Sequence, residues 1–206
     1  MTVRWKPLIV LSGLFLIVGV IGLLAFTLNL APAHASELLA KGHKEWKAGR
    51  RNDAEIHFKN ALKVEPRNAR AHLELARLSG ELAEHDSARR GDLLRQRHTE
   101  LEEAAKYGKD PEPRRLLLAE ALLAEDPVQS VQWASKLIEL EPEAADAHFA
   151  LAVAALDAAP ADPISAGKHL DVLLARESKR PRTAWIQARL ARDGKDDEAW
   201  KKVMEP

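Results

Sequence analysis

The sequence predicts an all-α chain: a solenoid of stacked helix pairs preceded by one N-terminal transmembrane helix. Three observations carry this. The strong helix formers Ala, Leu, Glu, Lys and Arg dominate beyond residue 35, while aromatic residues make up only 5% of the chain. Pro66, Pro111, Pro142 and Pro181 punctuate amphipathic segments at spacings of 45, 31 and 39 residues. A period in that range with two helices per unit marks a helical repeat array. Finally, Leu8–Leu28 carries no charge at all.

The apolar run sets the first element. Of its 21 residues, 15 are Leu, Ile, Val or Phe. As a helix it spans roughly 31 Å, close to the hydrocarbon thickness of a bilayer. The large apolar residues together contribute on the order of −5 to −9 kcal/mol towards insertion. Pro7 suits a first helical turn, Trp5 a headgroup position, and Arg4 and Lys6 the cytoplasmic side. Residues 1–7 are thus expected to be a short basic cytoplasmic N-terminus, 8–30 a transmembrane helix or uncleaved signal anchor, 31–36 a linker and 37–206 the repeat domain. The competing reading is a cleaved signal peptide, since Ala33-His34-Ala35 forms an A-x-A site. Cleavage after Ala35 would give a secreted protein. The apolar core exceeds the usual signal-peptide length of about 7–15 residues, which favours the single-pass anchor. Either reading places the repeat domain outside the cytoplasm, periplasmic or otherwise extracytoplasmic.

Composition excludes several function classes. The chain has 31 basic and 31 acidic residues, and Arg4 and Lys6 precede the first acid, Glu37. The repeat domain therefore carries no basic excess, so nucleic acid is not an expected partner. The absence of cysteine removes disulfides, thiolate metal sites and cysteine nucleophiles together. His43, His57, His72, His85 and His98 fall 13–15 residues apart, about one per helix, and no H-x3-H or H-E-x-x-H pair exists. No helix then presents two imidazoles on one face, and neither a metal nor a cofactor is expected. These histidines read as surface or groove residues. Ser165–Lys168 spells S-x-x-K without its companion motifs, and no phosphate loop or nucleophile elbow occurs. The chain reads as a non-enzyme.

The helix pairs follow in order. In the first, Leu38 and Gly42 lie on one helix, Gly49 marks the turn, and Ala54, Phe58 and Ala61 lie on the second before Pro66 closes the unit. The stretch Gly49–Pro66 reads G-x4-A-x3-F-x2-A-x4-P. Small residues let the helices approach, Phe58 fills the gap beside them, and proline ends the second helix. This unit resembles the tetratricopeptide repeat, a 34-residue helix-turn-helix. The resemblance extends, more weakly, over residues 36–206 and implies a right-handed α-solenoid of four to five pairs. Ala71–Ala83 begins a second pair that ends near Tyr107 and runs about nine residues long, with the excess in the charged stretch 84–97. Pro113–Ala124 with Pro127–Leu140 form the third pair, closed by Pro142. Ala144–Ala158 with Pro163–Glu177 form the fourth. Arg182–Arg192 opens a fifth, in which Gly194, Ala199 and Val203 repeat the spacing of Gly49, Ala54 and Phe58. Trp133 and Trp185 fall on apolar faces and are expected in the core.

The resemblance also implies where a partner would lie. Repeats of this kind line a concave groove with their first helices. The matching positions are Leu39, His43, Trp46 and Lys47; then Arg70, Leu73, Arg77 and Glu81; then Arg115, Ala119 and Leu122; then Asp146, Phe149 and Val153. Trp46 is equally suited to groove contact and to packing between units. The mixture suits an extended or helical peptide held by apolar contacts with charged edges. The expected function is a membrane-anchored scaffold that binds another protein, with the bilayer as second partner through residues 8–28. The alternative is an accessory subunit of a membrane-associated biogenesis complex for cytochrome maturation or envelope export.

Overall fold

The computed structural model describes residues 34–193. The predicted basic N-terminus and transmembrane helix, the first half of the linker, and Gly194, Ala199 and Val203 lie outside them. Nine helices follow one another among the described residues: α1 (Ala35–Lys47), α2 (Arg51–Val64), α3 (Ala69–His85), α4 (Arg90–Tyr107), α5 (Glu112–Leu123), α6 (Pro127–Ile138), α7 (Ala145–Asp157), α8 (Pro163–Glu177) and α9 (Pro181–Asp193). No described helix is long and apolar enough to cross a membrane. The first helix begins at Ala35, so the last two residues of the expected linker are helical.

Local chemistry sets the boundaries. Asn68, Asp126 and Asp162 each accept a hydrogen bond from the backbone N–H three residues on, at 3.0, 3.0 and 2.9 Å. Each satisfies one of the unpaired donors at a helix start. Pro127, Pro163 and Pro113 sit in first turns, where a missing N–H costs nothing. Gly49 ends the α1 turn at φ +78°, a backbone region open to glycine. Glu125 ends the α5 turn at φ +53°, where a non-glycine residue is uncommon.

Each helix packs on the next along the chain, and α7 also touches α5 and α9. Three apolar clusters run along the stack. The first is built around Phe58, Leu75 and Leu78, the second around Leu101, Leu117 and Trp133, and the third around Leu156, Leu173 and Ile186. Neighbouring units share a core, as in a solenoid, where contacts are local along the array. Phe58 is fully buried, and a Cβ at Gly42 would lie 2.6 Å from its Cδ1 and closer still to Cε1. The glycine is what admits the ring.

The excess length of the second pair is carried by the helices themselves, 17 and 18 residues long, which run into the charged stretch 84–97 from both sides and leave only residues 86–89 between them. One expectation needs correction. Trp185 is not core: it is 46% exposed, while Ile186 is fully buried. One residue rotates a helical position by about 100°, and the smaller side chain took the inward one. Trp133 is buried as expected.

Candidate functional site

The first helices of the pairs, α1, α3, α5, α7 and α9, carry the residues expected to meet a partner. The structure joins these helices by side-chain contacts between successive units. Trp46 on α1 donates its indole N–H to Glu81 on α3 at 2.5 Å, and Arg51 at the start of α2 pairs with the same carboxylate. Arg77 on α3 binds Glu112 at the start of α5, its Nε donating at 3.0 Å. Arg115 on α5 pairs with Glu141 just before α7. Asp146 on α7 accepts from Arg182 on α9 at 2.6 Å. Trp46, Glu81, Arg77, Arg115 and Asp146, all expected groove residues, each make one of these contacts to a neighbouring unit.

These contacts change what the residues can do. Arg77 and Arg115 are not unpaired cations awaiting an acidic ligand; each is held by a carboxylate of the following unit. Ion pairs this exposed are worth on the order of 0–1 kcal/mol, so a ligand carboxylate could exchange with them. Burial would raise the Glu81 carboxyl, but the Trp46 N–H and Arg51 outweigh it and hold its pKa below the ordinary carboxylate value. Trp46 is half-buried. It packs edge-on to Phe58 at 6.0 Å between centroids and stacks beside His43 at 6.5 Å, so its main role is packing.

Two expected groove residues are not available to a ligand. Leu39 is 6% exposed and Leu73 5%, because each turns into the cluster beneath its helix. Phe149 is half-buried against Trp185, with the Arg182 guanidinium 5.6 Å from its ring. Leu122 and Val153 are half-buried too. Lys47, Arg70 and Ala119 are exposed. His43 lies 3.5 Å from Glu74.

The histidines correct another expectation. His72 and His148 are buried, not at the surface. Each directs Nε2 at a proline carbonyl six residues back, Pro66 at 3.0 Å and Pro142 at 2.8 Å. Both pin the turn between units. The Nδ1 atoms differ: His72 meets Glu100 at 2.6 Å, and His148 meets Nδ1 of His169 at 2.9 Å. Burial would lower the His72 pKa, yet the Glu100 hydrogen bond and the Pro66 carbonyl outweigh it and raise it above the usual imidazole value. Burial and the neighbouring His148 and Lys168 lower that of His169. Sequence reasoning missed this role, although P-x5-H occurs at both places and could have signalled it. Among the described residues no cluster of three or more His, Asp or Glu side chains is placed to hold a metal ion.

The fold is one already seen in solved structures. A tetratricopeptide repeat protein from Parabacteroides merdae ATCC 43184 matches over 82% of this chain with a TM-score of 0.55 and 17% identity. This chain spans 63% of that protein's length. A structure of MamA matches over 82% of this chain and 88% of its own, with a TM-score of 0.58 and 17% identity. PilF of Pseudomonas aeruginosa matches over 85% and 76%, with a TM-score of 0.55 and 17% identity. The architecture of the described residues is therefore that of a tetratricopeptide-like helical array. No protein-family profile and no curated protein matches the sequence.

Proposed function

We propose that the chain is a membrane-anchored, non-enzymatic scaffold that binds another protein along the face formed by α1, α3, α5, α7 and α9. The observation that carries this is the set of contacts between successive units. Trp46 to Glu81, Arg77 to Glu112, Arg115 to Glu141 and Asp146 to Arg182 bring residues distant in sequence into contact across successive units. Only such a face gathers several units into one site. Its chemistry is polar and charged, with exposed Lys47 and Arg70 beside the pairs, which suits a polar peptide better than an apolar one.

Anchoring rests on the uncharged run Leu8–Leu28. Ala35 adds support, because it is fully buried in the first cluster and cleavage after it would remove it. The expected topology is a cytoplasmic N-terminus with the repeats on the far side of the membrane. Crosslinking in the native membrane, followed by mass spectrometry, tests the scaffold. Lys47→Glu with Arg70→Glu should weaken capture of the partner by at least about tenfold, or about 1.4 kcal/mol, without loss of helicity. Unchanged capture rules this face out. Full-length chain should stay with the membrane through an alkaline carbonate wash, and a soluble form starting at Ser36 refutes the anchor.

A further inference from the structure

The stack contains an internal comparison. Residues 76 apart match across its two halves: Pro66 with Pro142, each receiving a histidine six residues on, and Gly49 with Glu125, both at positive φ. Helices α1 to α3 thus correspond to α5 to α7. In the first half, the space beside the α1–α2 turn and the end of α3 is closed by the chain itself. The Trp46 indole packs against the cluster that contains buried Leu78 and Leu82. Its N–H and Arg51 both bind Glu81.

At the corresponding place in the second half every one of these groups is smaller or lost. Trp46 becomes Leu122, Arg51 becomes Pro127, Leu78 becomes Ala154 and Leu82 becomes Ala158. Glu81 keeps its acid as Asp157. The result is an open cleft of about 800 Å³ between the α5–α6 turn and the end of α7. Its wall is largely apolar, with Val128 74% exposed, and Leu123 beside it is 87% exposed. Glu125, Asp126 and Asp157 line it, and no basic residue does. Asp126 caps α6, and Asp157 takes Arg189 from outside the cleft at 2.6 Å.

We propose that this cleft is a second docking site, at the edge of the stack, for a partner segment that carries an aromatic side chain beside a basic one. The partner supplies the ring that Trp46 supplies in the first half, and a cation to add to Arg189 at the acidic rim. Its ring fills the volume that Ala154 and Ala158 leave, and its cation meets the acids at the rim. A lining that is acidic and without a cation disfavours an anionic lipid surface. Partner segments of this kind concentrate binding energy in one buried aromatic anchor.

The probe is a labelled peptide with one central tryptophan between pairs of lysines, titrated by fluorescence anisotropy into the full chain in mild detergent. The peptide should bind, and replacing its tryptophan by alanine should weaken binding at least about tenfold, or about 1.4 kcal/mol. Ala154→Leu with Ala158→Leu, which restores the residues of the first half, should weaken it equally while the melting temperature holds or rises. Val128→Asn changes only an exposed side chain and should cost several-fold, which keeps the test valid if the double variant misfolds. Absence of binding, or equal binding to the filled variant, overturns the proposal. Residues Trp200-Lys201-Lys202 have the same chemistry within this chain. If Trp200→Ala tightens peptide binding, the chain's own tail is the occupant and the partner assignment fails. Concentration-dependent dimerisation lost in the filled variant assigns the cleft to a second copy and likewise overturns it.

Discussion

Gly42→Ala should change sign as a mutation depending on what stands at Phe58. In an exposed helix interior, Gly→Ala gains about 1 kcal/mol from helix propensity. Here the new methyl would meet the Phe58 ring, 2.6 Å from Cδ1 and closer to Cε1, where carbon atoms prefer about 3.5–4.0 Å. The ring cannot swing away: it is fully buried, with His43 edge-on at 5.5 Å and Trp46 at 6.0 Å. Overpacking of this kind costs about 1–3 kcal/mol, and an overlap of about 1 Å with two atoms belongs at the upper end. The expected net effect in the wild type is a loss of about 2 kcal/mol. Phe58→Ala alone should cost about 3–5 kcal/mol through its cavity. In that background the clash is gone, so Gly42→Ala should stabilise by about 1 kcal/mol. The coupling between the two sites is then about 3 kcal/mol, well above the scatter expected for independent positions. Urea unfolding of a chain beginning at His34, followed by circular dichroism at 222 nm, measures all four corners, and Phe58→Leu replaces Phe58→Ala if that variant does not fold. A Gly42→Ala effect of the same sign in both backgrounds would refute the claim that this glycine exists to admit the ring.

Three further outcomes follow from the same geometry. Trp46→Ala should lower stability by about 2–4 kcal/mol, because the indole packs on Phe58 and holds Glu81 across two units, whereas Lys47→Ala should change it by less than about 0.5 kcal/mol; thermal melts of both variants check this. His72 has a raised pKa, so the stability its pair with Glu100 contributes is complete below about pH 6.5 and is lost as pH rises through the raised value, while His169, with a lowered pKa, contributes above about pH 6.5 and loses it as pH falls through the lowered one. Unfolding of His72→Gln should therefore lack the decline on the alkaline side that the wild type shows. Asn68→Ala removes the side-chain acceptor for the Ala71 N–H and should cost about 1 kcal/mol, read from the urea midpoint.

The first unit was legible because its packing depends on residue types that stand out in a sequence. Gly42, Gly49, Phe58 and Pro66 each do something that few other residues can do, and the structure uses all four as their types suggest. Helix boundaries were legible wherever a proline or an Asn/Asp cap coincided with a change in apolar periodicity, as at Asp126-Pro127 and Asp162-Pro163. Trp185 failed because a periodicity of 3.6 does not decide between neighbours at the margin of an apolar face, and Ile186 filled the core instead. The pairing of the expected groove residues was not legible in the sequence. Whether Arg77 is unpaired depends on Glu112, 35 residues away, and that distance follows from how the units stack, which local pattern does not carry.

The two halves show why resemblance fades along this chain while the architecture holds. At 76 residues' offset Phe58 becomes Ala134 and Gly42 becomes Leu118, and both replacements are buried. Bulk has moved between the helices: Leu118 on α5 stands where α1 has Gly42, and the ring has shifted one position along α6 to Trp133, both buried in the second cluster. Core volume is conserved across the pair of helices, not at each position, so a pattern read position by position weakens although the helices still meet. No such exchange occurs for Trp46, Leu78 and Leu82. Their counterparts Leu122, Ala154 and Ala158 are all smaller, and Val128 and Val131 beside them leave the volume open. A loss of bulk that is compensated keeps the fold; one that is left uncompensated at a surface, lined by acids, leaves a place for something else to fill.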